Sequence, residues 1–337
     1  MSREIGSEFW DVPVTNQSNS LFPNTAQWYL SGRSALNSII KECLKKGCSD
    51  VAMPSWCCDS MIKPFVEAGI KVKFYSVYWN DKLVKEVDFD CDILFLMDYF
   101  GYTDSNNIEL EDYKGVVIRD LTHSLFSSVY SDADFYFGSL RKWCGVWTGG
   151  YAWTDDNHKL LFESSNECDY ITLRQKAMQL KTAYISGNDV KDNGYLQAFE
   201  KAEDILENIG IAAAAERDIN VAKKLDVKSL FLQRRENAII LRKALENQLI
   251  FADMSDTDCP MFVSILVPDG KRDALRRYLI NKNIYCPVHW PVSEYHILTE
   301  REKYIYDNEL SLVCDQRYTS DDMNRIVETI RQFWKET

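Results

Sequence analysis

A chain of 337 residues is long for one domain, and with 46% apolar and 27% charged residues it can bury a sizeable core without disulfide or metal staples, so one large and one small domain is the natural expectation. Its 39 basic against 51 acidic side chains give a net charge of -12, which excludes a broad nucleic-acid or anionic-membrane surface while leaving room for a single basic pocket.

The opening MSREIGSEFWDVP is polar and lacks the apolar core of a signal peptide, and no apolar run reaches the ~20 residues of a membrane span. The ten cysteines include an adjacent pair, Cys57 and Cys58, but no C-x-x-C spacing, so neither a disulfide framework nor a metal site is expected. A cytoplasmic protein with reduced, mostly core-filling thiols follows.

In chain order, Ser31-Gly32-Arg33-Ser34 opens a helix carrying Leu36, Ile39, Ile40, Cys43 and Leu44 at helical spacing, closed by Gly47. Residues 50–53 read as a short strand ending at Pro54, 60–68 as a helix ending at Gly69, and 72–77 as the next strand. Further strands are expected over 93–97, 116–118, 135–137 and 151–153. Near-continuous apolar strands between helices or loops predict a mostly parallel sheet covered on both faces.

From about 157 to 247 the pattern turns helical, with 212–215, 217–225 and 234–249 as consecutive amphipathic helices and Arg234, Arg235 and Glu236 facing water or a partner. Strands at 261–267, 284–287 and 310–314, a helix at 271–279, and a closing helix capped by Thr319 and running to about Phe333 then predict a small α+β domain. The expected division is a large domain over 1–248, with a helical extension, and a small domain over 249–337.

Three features carry chemistry. The strand at 116–118 runs into Arg119-Asp120-Leu121-Thr122-His123, and the strand at 135–137 runs into Gly138-Ser139-Leu140-Arg141-Lys142. Ligands of open parallel sheets collect at such carboxyl ends. The third is the turn at Ser31 to Ser34, where free amides and the helix dipole converge on an anion. Pyridoxal phosphate (PLP) chemistry needs an amine to carry the cofactor, a carboxylate to keep its pyridine nitrogen protonated and a cradle for its phosphate. Lys142, Asp120, and Ser34 with Ser139 supply these in an order consistent with one sheet.

The segments YLSGRSAL, DVAMPSWCCDSMIKPFVEAGIKVKFYSV, VVIRDLTHSL, DFYFGSLRKWCGVWTGGYAW and LSLVCDQRYTSDDMNRIVETI resemble the DegT/StrS-like aminotransferases, which are fold type I PLP enzymes. The resemblance implies a homodimer with a shared site that moves an amino group from an amino acid to a keto acceptor, in most studied members a nucleotide-linked sugar. It matches Lys142 to the Schiff-base lysine, Asp120 to the partner of the pyridine nitrogen, Ser139 to a phosphate ligand, and Arg33 and Ser34 to the phosphate-cradling turn. His123 falls where the family commonly has Gln, near the cofactor's phenolic oxygen. His289 and Trp290 sit where the family places a substrate-proximal His loop. Arg317, with its bidentate fork, is a candidate for an amino-acid carboxylate.

The sequence departs from the family at two places. The aromatic residue that covers the cofactor ring falls by count at Cys58, so either Trp56 takes that role, being two residues away on an extended segment, or sulfur covers the ring. Tyr99 or Phe100 are the remaining candidates. The partner-subunit loop Gly-x-Asn-x-Arg-Met is not recognisable, and a differently patterned stretch around 180–210 replaces it. Two other readings compete with the aminotransferase. One is a PLP-dependent lyase or dehydratase, opposed by Lys142 because the related sugar dehydratases carry His there. The other is a non-catalytic binding or regulatory module, favoured by the missing loop and opposed by the intact Asp120 and Lys142.

Overall fold

The computed structural model describes residues 4–87, 90–103, 108, 110–127, 133–156, 159–162, 168–187 and 194–337. Its first half contains β1 (Ile5–Gly6), β2 (Gln27–Tyr29), α1 (Gly32–Lys45), β3 (Asp50–Pro54), α2 (Asp59–Glu67), β4 (Lys71–Asn80), β5 (Lys82–Glu86), β6 (Ile93–Met97), β7 (Val116–Asp120), β8 (Phe135–Ser139) and β9 (Gly150–Thr154). Eight of these strands form one sheet in the order β2-β9-β8-β7-β6-β3-β4-β5. The middle of the sheet, from β4 to β8, is parallel, while β2, β9 and β5 join antiparallel at its margins.

Every residue of β6, β7 and β8 is buried, as their unbroken apolar runs require of strands covered on both faces. Helix α1 packs its Ala35, Leu36, Ile39, Ile40 and Cys43 stripe against the sheet, and the Ser31 hydroxyl caps it by accepting from the Ser34 amide at 3.1 Å. The carboxyl ends of β3, β6, β7 and β8 therefore open along one edge.

Next come α3 (Cys168–Ile185) and α4 (Gly194–Glu207), which pair with each other, then α5 (Glu216–Lys223) and α6 (Val227–Ala244). The last part holds β10 (Phe262–Leu266), α7 (Arg272–Ile280), β11 (Ile284–Tyr285), α8 (Glu300–Asn308), β12 (Glu309–Val313) and α9 (Ser320–Glu336). β10 and β12 form an antiparallel pair, and β11 pairs in parallel with the amino-terminal β1. A second core gathers Val263, Ile265, Leu275, Leu310, Leu312, Ile326 and Ile330. It also takes Ile5 and, from α6, Ala238 and Leu241, with Leu245 just beyond it, all of which precede the boundary expected at 248.

Several elements differ from the sequence reading. Residues 212–215 are extended rather than helical. Leu30 donates its amide to the Ala212 carbonyl at 2.8 Å, and Ala214 donates to the Trp28 carbonyl at 3.2 Å, so the alanines lie along β2, where small side chains permit close approach. Helix α6 starts at Val227, capped by Asp226, rather than at Arg234. Arg234 does not face water: it is 1% exposed and lies over the Trp143 ring at 4.5 Å. β4 is longer than expected and folds back on β5 through Asp81, at φ 58°. Helix α8 was not expected. Its start is a capping box between Thr299 and Glu302.

Candidate active site

Asp120 and Lys142 reach one place because β7 and β8 are parallel neighbours in register, with Asp120 opposite Phe137. β8 ends at Ser139, and a single 3-10 turn, Leu140–Lys142, then carries Lys142 over the sheet edge. Both residues line a cavity of about 490 Å³, together with Thr122, His123, Ser139 and Arg141. Its opposite wall is Ser31, Gly32 and Arg33 at the start of α1, with Cys58, Ser60 and Met61 from the entrance to α2. Phe262, His289 and Trp290 close it from the small domain, and Glu203 from α4.

The α1 terminus abuts the end of β8. A Cβ on Gly32 would lie 3.3 Å from the Ser139 Cβ and 3.4 Å from the Gly138 carbonyl oxygen. At Gly150 a Cβ would fall 2.0 Å from the Ser31 carbonyl oxygen, so only glycine lets β9 pass beneath the helix start. Arg33 is half-buried and makes no hydrogen bond or ion pair among the described residues. Ser34, expected to hold phosphate, is fully buried, donates its hydroxyl to the Gly210 carbonyl at 2.8 Å and is not part of the wall. The helical turn that presents Gly32 and Arg33 to the cavity rotates Ser34 toward the core.

Asp120 is 2% exposed, and its Oδ1 accepts the Thr122 amide at 2.7 Å. Burial pushes its carboxyl up to about 6, against the hydrogen bonds from Thr122. Behind it Arg119 and Asp98 form a buried ion pair at 2.8 Å, with Ser124 also donating to Asp98. The His123 ring stacks on Phe100 at 4.9 Å and on Trp290 at 5.7 Å. Burial, with lesser help from His289 and Lys142, drives its pKa well below the ordinary value, so it is a neutral imidazole. Its Nδ1 is buried and has no hydrogen-bond partner among the described residues.

His289 is fixed from behind. Its amide donates to Glu309 Oε2 at 2.6 Å, and its Nδ1 lies 2.9 Å from the Ser311 hydroxyl, which donates to Glu309 Oε1 at 2.5 Å. Because Ser311 spends its proton on Glu309, its oxygen accepts from Nδ1–H of His289. Arg141 donates to Tyr170 and, at 2.7 Å, to Glu203, which also lies 3.6 Å from Arg174.

The structure separates the two candidates for the cofactor face. Trp56 is 1% exposed, stacks on Tyr99 at 4.7 Å, donates Nε1–H to the His289 carbonyl at 2.7 Å and is not part of the cavity wall. Cys58 is part of it, with Sγ 2.9 Å from the Ser60 hydroxyl and a thiol pushed up by burial. The two-residue alternation expected between them fails because the chain bends at Ser55 and Trp56 after β3. Tyr99 and Phe100 are fully buried behind Trp56 and His123.

Arg317 also departs from expectation. Its fork is taken by Asp315, with Nε to Oδ1 at 2.9 Å and Nη2 to Oδ2 at 2.8 Å, and its guanidinium covers the Phe9 ring at 3.9 Å. It lines a smaller neighbouring cavity instead. The sequence reading missed Thr122, Arg141 and Glu203. Thr122 had a signal, since a residue two beyond a strand-end Asp commonly returns its amide to that carboxylate. Glu203 had none, because it meets Arg141 across 62 positions of sequence.

No protein-family model matches the chain, and no curated protein does. Among solved structures it is similar to a DegT DnrJ EryC1 StrS aminotransferase from Brucella abortus, at 16% identity and TM-score 0.60, over 91% of this chain and 85% of that one. It is similar to PseC of Helicobacter pylori, an aminotransferase involved in the biosynthesis of pseudoaminic acid, at 12% identity and TM-score 0.62, over 98% and 100%. The PLP form of Spr1654 from Streptococcus pneumoniae matches at 13% identity and TM-score 0.62, over 97% and 93%. The chain has the fold of these aminotransferases. In this fold type I architecture the parallel sheet edge and the α1 terminus make one wall, and the small domain supplies the roof.

The residues present fit PLP. The cavity is of the size that takes a small cofactor, and it offers an amine, a buried carboxylate and a helix amino terminus flanked by Ser139 and an unpaired arginine. The unpartnered His123 Nδ1 is a polar atom waiting for a ligand atom or a water. No described helix is long and apolar enough to cross a membrane, and no metal-binding cluster occurs among the described residues.

Proposed function

We propose that the protein is a PLP-dependent aminotransferase moving an amino group from an amino acid to a keto acceptor of sugar type. The observation that carries this reading is the convergence of Lys142, buried Asp120 and the α1 terminus on one cavity. The fold shared with aminotransferases, among them the sugar aminotransferase CalS13 of Micromonospora echinospora, supports it.

Lys142 would carry the cofactor, Asp120 would face its pyridine nitrogen, and the Gly32 and Arg33 amides with the Arg33 guanidinium and Ser139 hydroxyl would take its phosphate. His123 would serve the phenolic oxygen and Cys58 would cover the ring. Bound there, the cofactor supplies an electron sink for charge developing at the substrate carbon. The chain does the rest. Lys142 Nζ would take the proton from the substrate Cα and hand it on. Asp120, whose buried carboxyl resists ionisation alone, stays ionised once a cation stands opposite. His289, held by Glu309 and Ser311, offers Nε2 to a substrate hydroxyl or ammonium, and Trp290 walls off water.

Purified protein loaded with PLP is expected to be yellow, to bleach with an amino donor and to recover colour with a keto acceptor. Colour that no amino acid bleaches would refute amino transfer and favour a binding module. The reading also includes a homodimer in the cytoplasm. Leu232 and Ile239, 48% and 50% exposed on one face of α6, support an apolar contact with a second copy, and the free thiols Cys43, Cys57, Cys144 and Cys259 support a reducing compartment. Sedimentation should give a dimer at micromolar concentration, with an interface above ~2,000 Å²; a monomer that keeps its cofactor would contradict it.

A further inference from the structure

One end of the larger cavity is walled by α4 of the same chain. Leu206 lies in one apolar cluster with Leu30 and Ala212, just before the turn at Ser31 to Arg33. Glu203, one turn earlier on α4, lines the cavity with Gly32, Arg33, Ser139 and Arg141. The end of the cavity assigned above to a phosphate therefore already holds a carboxylate. Its partner is Arg141, which stands between Ser139 and Lys142 in the 3-10 turn.

Arg141 is committed at both tips of its fork. Nη1 donates to the Tyr170 hydroxyl and Nη2 to Glu203 Oε1 at 2.7 Å, and the side chain is only 10% exposed. Buried Arg174 brings a second guanidinium to 3.6 Å from the same oxygen and to 3.5 Å from Glu8, which also lines the cavity. Glu203 is the loose member. Its side chain is 46% exposed, and Oε2 has no hydrogen-bond partner among the described residues. Burial raises its carboxyl, but Arg141 and Arg174, with help from Lys142, hold it below the usual carboxylate range, so it is ionised at neutral pH. A phosphate at this end meets a like charge in Glu203 and an opposite one in Arg141. The half-exposed carboxylate can turn to water at little cost. The buried Arg141 cannot, because away from Glu203 it needs another anion.

We infer that Glu203 is a resident counter-ion that gives up Arg141 to the cofactor's phosphate; the inference rests on the PLP reading above. Without cofactor, Glu203 keeps the buried Arg141 paired. With it, Arg141 joins Arg33, Ser139 and the α1 amides as a ligand of the phosphate, and the charge of Glu203 sets how tightly that end is held.

The test titrates the protein with PLP and with pyridoxal, which lacks the phosphate, and reads affinity from the absorbance of the bound aldehyde rather than from turnover. The ratio of the two affinities isolates the phosphate contact. Glu203→Gln keeps the size of the side chain and removes the competing charge, so it should raise the PLP-to-pyridoxal ratio by roughly twofold to fivefold, the range of one partly exposed ion pair. Arg141→Gln should lower the ratio, and in that background Glu203→Gln should raise it less, since the carboxylate then has no arginine to withhold. A ratio that Glu203→Gln leaves unchanged or lowers overturns the inference, because a carboxylate that stands clear of the phosphate, or only props Arg141 in place, gives one of those results. That reading holds whether or not the Arg141 variant folds. Protein that takes up neither aldehyde instead sinks the PLP reading, and the inference with it.

Discussion

Lys142→Ala is expected to lose roughly 10³–10⁴-fold or more of its amino-transfer rate, because one substitution would remove both the covalent anchor and the proton carrier proposed above. Stability should barely move, since the Lys142 side chain faces the cavity and carries no packing. Added methylamine should return part of the rate by standing in for the lost Nζ, which a merely misfolded variant would not allow. In the unsubstituted protein, borohydride should fix one cofactor per chain on the peptide containing Lys142. The rival lysines are otherwise engaged: Lys181 is fully buried against Glu4, and Lys85 donates to the Met97 carbonyl at 3.4 Å. A label on Lys181 or Lys114, or a Lys142→Ala protein that turns over normally, would remove Lys142 from the mechanism.

Asp120→Asn should cost at least ~100-fold in transamination, the range for losing a central electrostatic partner. The same change should stabilise the cofactor-free protein. Burial raises the Asp120 carboxyl from 3.8 to about 6, so between these values the folded chain holds a proton that the unfolded chain has released. Stability therefore falls as pH rises through that window and levels off above it. At pH 8 the asparagine variant, which can still accept the Thr122 amide, should be more stable by on the order of 2–3 kcal/mol. The difference should shrink to a small remainder at pH 4 and vanish below about pH 3, where the acid is protonated in both states. Denaturant melts of both cofactor-free proteins at pH 4 and pH 8 read this directly. An unchanged difference across pH would mean that Asp120 is not held in a dry site, and near-normal turnover would mean that the site lies elsewhere.

Some of this was legible because its signals are local. The unbroken apolar runs ending at Asp120 and Ser139 required covered parallel strands, and those strands lie side by side with their carboxyl ends on one edge. The Ser31 cap and the Thr319 capping box were equally plain, since each is set by a side chain and amides three residues away.

The sequence by itself therefore determined the α/β core, the strand-end positions of Asp120 and Lys142, and the helix terminus that faces them. Only the tertiary structure decided which neighbours point inward. Arg33 rather than Ser34 meets the cavity, Cys58 rather than Trp56 covers it, and Arg234 turns into the core although its helix pattern placed it in water. Glu203 joins the wall through the pairing of α3 with α4, and the small domain is completed by Ile5 pairing with Ile284. Periodicity fixes which residues share a face. Whether that face meets water, a cavity or another element is set by contacts between segments far apart in the chain, and no local spacing records them.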